Sequence, residues 1–285
     1  MIKLRKKTGG RKMAQTEQKN QNVKKQFEEL QSLLERAMAL QTSMVLFEWD
    51  DETLAPKGAA EHTARVIGSL SEQYQEILAS MRFKELLDIC QKAEKENVGI
   101  FDEVQSAILR EAAEEQERLS CIPPEEYRAY AELTARATGI WTRAREKNDF
   151  ASFAPVLKEI ISYQKKFAAY RAKPGQKLYD VMLDTYEKGF NMEMLDPFFE
   201  LMKGKIVPLL KESAERSKRV PDAFLSADYP EAAQAEAARF LAEYEGFDFD
   251  RGVLALSAHP FTTNLHNHDV RITTHYQKRI DSSIF

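Results

Sequence analysis

Val23, Phe27, Leu30, Leu34, Ala37, Gln41 and Met44 recur at steps of three and four, and six of these seven side chains are apolar. A helix brings residues at that spacing onto one side, so the stretch folds as a helix with one face against a core. The positions between are rich in Glu, Gln, Leu and Lys, all good helix formers. The same texture continues along the chain. Pro56-Lys57-Gly58 interrupts it, and the pattern predicts a second helix over 62–79 and shorter ones over 83–96 and 101–119. Cys121-Ile122-Pro123-Pro124 is a stop. Pro124, Glu125 and Glu126 then suit a helical first turn, where a missing N–H costs nothing and acid complements the dipole. That helix is expected to reach about 147, with a break at Asn148-Asp149 and another helix over 151–171. Lys173-Pro174-Gly175 breaks the pattern again. Residues 192–217 are apolar on two sides, through Phe198, Phe199, Leu209 and Leu210 among others, which predicts a buried helix kinked at Pro208. Asp228-Tyr229-Pro230-Glu231 opens a further helix that ends near Gly246.

After Gly246 the chain becomes richer in β-branched and aromatic residues. Val270, Ile272 and Thr274 alternate with Arg271, Thr273 and His275, the period of a strand. Asn264, Asn267, His268 and Asp269 supply turn residues between this strand and the Phe261-Thr262-Thr263 segment. A small β-hairpin is therefore expected late in a helical protein. Asp281-Ser282-Ser283-Ile284-Phe285 reads as an N-cap and the first apolar turn of one more helix. The expected class is mainly α: a multi-helix single domain over 19–285 with a hairpin near its C-terminus. Residues 1–18 are set apart as a disordered basic leader, because the first twelve carry six basic and no acidic side chains. Met13 is a second candidate start.

Composition narrows the function classes. A net charge of −4 over 285 residues does not suggest nucleic acid. Two cysteines, Cys90 and Cys121, do not make a disulfide framework or a zinc ribbon, and a reducing cytosol is the simpler setting. No apolar run approaches the roughly 20 residues that span a bilayer.

Four of the five histidines, His259, His266, His268 and His275, lie in the last 27 residues. His266 and His268 share one side of a strand, and Asp269 could add an oxygen; zinc asks for three or four such ligands. The competing reading is a solvated polar turn. His259 is biased to extended geometry by Pro260, either at a cleft edge or satisfying a buried turn. Arg271 suits a carboxylate received through its fork, or a salt bridge with Asp269 or Asp250. Trp49-Asp50-Asp51-Glu52 offers general acid and base groups, or a capped helix end. The sequence contains no His-Glu-x-x-His, no phosphate-cradling glycine loop and no evident nucleophile triad.

The pair His259-Pro260-Phe261 and Asp269-Val270-Arg271-Ile272-Thr273 resembles two motifs of the thermostable carboxypeptidase Taq type of metallocarboxypeptidase. Segments 49–71, 141–160 and 245–252 look like further parts of that family, and the likeness covers about 23–285 without the leader. His275 stands where an arginine is common, and His266-Asn267-His268 replaces a more Gly/Pro-like loop.

The resemblance implies a zinc-dependent hydrolase that removes C-terminal residues from peptides, typically a cytosolic homodimer. Such enzymes bind zinc, or another divalent metal, through a His-Glu-x-x-His helix that follows the hairpin. By resemblance, residues 281–285 begin that helix, so the chain stops about one turn before the first ligand. No metal ligand and no catalytic residue is then expected within it, and the chain alone is expected to be inactive. His259, Pro260, Phe261, Asp269, Arg271 and Thr273 become substrate-groove residues or supports around the metal ligands. The expected partner is a peptide with a free C-terminus, not nucleic acid or membrane. Two alternatives stay open: a non-catalytic helical fragment or pairing module, and a different helical zinc peptidase such as an oligoendopeptidase.

Overall fold

Helical periodicity accounts for most of the architecture of the computed structural model, which describes residues 2–97, 99–218, 221, 223 and 227–277, with side chains from residue 17 onward. Nine helices are described: α1 (Ile2–Thr53), α2 (Ala60–Leu78), α3 (Met81–Glu96), α4 (Glu103–Ser120), α5 (Pro124–Glu146), α6 (Phe150–Arg171), α7 (Leu178–Tyr186), α8 (Met192–Ser217) and α9 (Glu231–Tyr244). Three strands follow, β1 (Gly252–Leu256), β2 (Thr262–His266) and β3 (Asp269–Thr274). The backbone of the basic leader falls within α1. The helix start expected at Asp281 lies outside the described residues.

The chain forms two compact units. The first comprises Met1–Met44 and Glu61–Thr138, the second Val45–Ala60 and Gly139–Phe285. In the first, the α1 stripe delivers Val23, Phe27, Leu30 and Ala37 to a core shared with Leu78 of α2, Phe83, Leu86 and Cys90 of α3, and Leu109 and Leu119 of α4. Phe27 and Phe101 pack with ring centroids 4.9 Å apart. Burial pushes the Cys90 thiol up to about 11, so it stays protonated and behaves as a small hydrophobe.

Local chemistry sets the helix ends in this unit. Ser80 caps α3 by accepting from Phe83 N at 3.2 Å. Asp102 and Gln105 form a reciprocal capping box at the start of α4, with bonds of 2.8 and 3.1 Å. The buried amide of Gln75 donates to Leu119 O at 3.1 Å and Ile122 O at 2.6 Å, which ties the end of α4 to α2. Gly68 on α2 lies so close to Glu132 of α5 that a Cβ there would meet the Glu132 Cγ at 2.3 Å.

In the second unit, the break between α5 and α6 is made by Asn148 at φ 52°, a left-handed position that asparagine tolerates, and Asp149 caps α6. Three features differ from the sequence-based expectation. α7 is an added helix. Its nine residues are too short to display a distinct stripe, and its start follows directly on the Pro-Gly break. β1 is an added strand, so the hairpin is the larger part of a three-stranded sheet ordered β1-β3-β2, with β1 parallel and β2 antiparallel to β3. Finally, α8 is not buried: Phe198, Phe199, Leu209 and Leu210 are each at least half exposed. Apolar composition shows that a helix has a face to bury, but not that a neighbour covers it.

Leu86→Ala, at a side chain with no solvent exposure, is expected to cost about 2–5 kcal/mol of unfolding free energy in urea denaturation. The open face of α8 predicts concentration-dependent self-association in sedimentation velocity. A double change, Leu209→Lys with Leu210→Lys, is expected to reduce it, and a monodisperse parent across the concentration range would contradict this.

Candidate active-site wall

The second unit brings the late motifs together with the end of α1. On β3, Asp269 and Arg271 are two apart and so share a side of the strand. Arg271 Nε and Nη2 donate to Asp269 Oδ1 and Oδ2 at 2.9 and 3.0 Å, a two-pronged pair. Of the partners weighed from sequence, Asp269 is the one found. This bond holds the Asp269 carboxyl below the usual carboxylate range. The guanidinium carbon also lies 4.8 Å from the centroid of the Trp49 ring. Arg271 is thus fixed both by an anion and by an aromatic face, and its planar group keeps one orientation.

Trp49 sits in the last turns of α1 and is 7% exposed. Its Nε1 is buried with no hydrogen-bond partner among the described residues. Asp51 and Glu52 follow it. Burial holds both carboxyls above their ordinary range; Asp50 adds to this for Asp51, and Asp51 adds to it for Glu52. His259 pulls Glu52 the opposite way. The same tetrad also ends the helix, since Leu54 N and Ala55 N donate to Asp50 O at 2.9 and 2.8 Å.

His259 itself is exposed, Pro260 and Phe261 are half-buried, and Thr273 is buried. The segment carrying them is anchored from α5, where Arg145 Nη1 donates to Ala258 O at 2.7 Å. The Thr273 hydroxyl lies 3.0 Å from Phe261 N, so the two motifs touch directly. At the hairpin tip, His266 and His268 have ring centroids 6.1 Å apart, and His268 N donates to His266 Nδ1 at 3.0 Å. One imidazole nitrogen is thereby engaged in the turn. Among the described residues, no group of three or more His, Cys, Asp or Glu side chains is arranged to hold a metal ion.

All six residues singled out by motif therefore fall on one small sheet and the crossing beside it. Sequence reasoning missed three of their partners. Ser257 meets the His259 carbonyl and the Thr273 hydroxyl, and Arg145 holds the neighbouring Ala258 carbonyl, contacts that spacing along the chain does not reveal. Trp49 was visible as the neighbour of three acids and the start of a family-like segment, but its aromatic contact with a residue more than 200 positions away leaves no mark in spacing.

The family model for carboxypeptidase Taq (M32) metallopeptidases matches residues 29–285. Carboxypeptidase 1 of Bacillus subtilis is 33% identical over 247 residues, which is 87% of this chain and 48% of that protein. Thermostable carboxypeptidase 1 of Thermus thermophilus is 32% identical over 257 residues, 86% of this chain and 50% of that protein. A crystal structure of BsuCP superposes with a TM-score of 0.85 at 32% identity, covering 91% of this chain and 51% of that one. Metallocarboxypeptidase 1 of Trypanosoma cruzi gives 0.75 at 30% identity, with 91% and 51% covered. The chain spans about half the length of the curated relatives it matches. A sheet that carries the two late motifs in contact, and a family match across nine-tenths of the sequence, place this chain in the carboxypeptidase Taq (M32) metallopeptidase family.

Proposed function

We propose that this chain is the N-terminal portion of a metallocarboxypeptidase and forms one wall of its peptide groove. The observation that carries this is the contact between the His259-Pro260-Phe261 and Asp269–Thr273 motifs beside the stacked Arg271. The whole protein would hydrolyse the last peptide bond of a substrate with a free C-terminus. A divalent metal, zinc in our reading, would activate the attacking water and polarise the carbonyl. The described residues do not fit such an ion, so no step through it is assigned to them. Its ligands would come from sequence beyond Phe285. The open apolar face of α8 supports a further layer of fold packing there. Homodimerisation and a cytosolic location belong to the same proposal; no helix among the described residues is long and apolar enough to cross a membrane.

In this reading the chain's own residues bind and orient. His259 is exposed and stands at the groove edge. Arg271 is already paired, so it acts as a fixed positive support rather than a free clamp. Glu52 lines the same wall, where burial raises its carboxyl above the ordinary range and His259 opposes that rise.

A protein extended by the remaining half is expected to release C-terminal residues, to stop on chelation, and to spare a C-terminally amidated peptide. Cleavage of the amidated peptide within its chain would favour the endopeptidase alternative. The 285-residue chain alone is expected to show no chelator-sensitive release; a clear signal there would overturn the assignment of the metal ligands to the other half.

Glu52 gives a pH test of the wall. Its folded pKa is raised, so the folded state holds the proton more tightly than the unfolded chain. That stability is fully present below the ordinary value of about 4.3 and is lost as pH rises through the folded value. Glu52→Gln removes the loss. The variant should gain on the parent as pH rises above about 4.3, read as the urea midpoint from tryptophan fluorescence, since both tryptophans lie in the second unit.

A further inference from the structure

β1 and β2 flank β3, so the chain between them must cross the end of the central strand. Residues 257–261 make that crossing. So short a connection cannot form its own ladder, and its backbone groups need other partners. Ser257 O receives His275 Nδ1 at 2.9 Å, Ala258 O receives Arg145 at 2.7 Å, and Phe261 O receives Thr273 N at 2.9 Å.

The remaining groups meet two buried hydroxyls, Ser257 at 7% and Thr273 at 3% exposure. Ser257 Oγ is 2.8 Å from His259 O and 2.7 Å from Thr273 Oγ1, and Phe261 N is 3.0 Å from Thr273 Oγ1. A carbonyl only accepts, and an amide N–H only donates. The protons therefore have one arrangement. Phe261 N–H donates to Thr273, Thr273 donates to Ser257, and Ser257 donates to His259 O. Thr273 Oγ1 also lies 3.4 Å from Phe261 O, too far to compete with its 2.7 Å partner.

We infer that Ser257 and Thr273 are positioning residues: their one-way hydroxyl chain fixes the backbone of 259–261, and with it the direction in which His259 presents its imidazole to a bound peptide. The inference deepens the proposed function and rests on its placing of His259 at the groove. Pro260 contributes a fixed φ and no N–H, so the ends of the tripeptide are held while its middle cannot turn. The chain runs through a buried site, where each bond polarises the next. Charged neighbours of the crossing are Glu52 from α1 and Arg145 from α5.

The test uses the 285-residue chain and nuclear magnetic resonance. In the parent, the Phe261 amide should exchange slowly with solvent. Thr273→Val should speed that exchange about tenfold, as expected for one lost hydrogen bond, and Thr273→Ser should restore it. The His259 ring cross-peak should move in Ser257→Ala and Thr273→Val, but not in Thr273→Ser. His266 and His268, at the far end of the hairpin, should stay in place in all three. A fast-exchanging Phe261 amide in the parent overturns the inference without any variant having to fold. So does a His259 signal that is unchanged in folded Ser257→Ala, because a hydroxyl that merely stabilises the sheet would leave the imidazole where it was. Adding a peptide with a free C-terminus to the parent is a separate arm. If no ring signal responds, the groove assignment fails while the exchange data still decide the hydroxyl chain.

Discussion

The placement of β3 between two strands of opposite sense governs the second unit. A parallel neighbour on one side and an antiparallel one on the other oblige the chain to pass over the strand end, and the motif histidine lies on that passage. The register follows from side-chain alternation. Arg271 faces Val253 and Thr263, and Thr273 faces Ala255, so Arg271 and Thr273 lie on the same side of β3 at successive positions. A slip of one residue would turn both to the other side and separate Thr273 from the crossing. Gly252 belongs to the same constraint. A Cβ there would meet the Phe247 ring at 2.2 Å, so the start of β1 is pressed against an aromatic that only glycine admits.

α1 contributes to both units. Its stripe through Ala37 fills the first core, and its last turns carry Trp49 and Glu52 within the second. The same helix thus supplies packing at one end and charged chemistry at the other. The surface ion pairs of the first unit, such as Arg82 with Glu29, are exposed and add little beside the apolar core.

Helix number and order were largely legible because amphipathic spacing, prolines and cap residues agree along the chain. Pro56, Pro124, Asn148 and Pro230 each mark a boundary close to the observed one. Apart from the short α7, what escaped depended on a distant partner. α8 displays its apolar residues as a buried helix would, yet its faces stay open. β1 lacks clean alternation, since a strand paired along only one edge and partly covered has no single periodic face. At the candidate site, the six motif residues were found through family likeness, and the spacing of Asp269 and Arg271 allowed for their pairing. The hydroxyl and carbonyl contacts beneath them were not legible, because backbone acceptors are the same at every position.

The two outer strands of this sheet are unequal. β2 carries a bulge between Asn264 and His266, which breaks the regular row of donors and acceptors along it. β1 has no such interruption, and it leaves Val253 and Leu256 in solvent. Among the described residues, β1 therefore keeps the more regular outer rail of the two, the kind of strand edge that offers backbone donors and acceptors in an unbroken row.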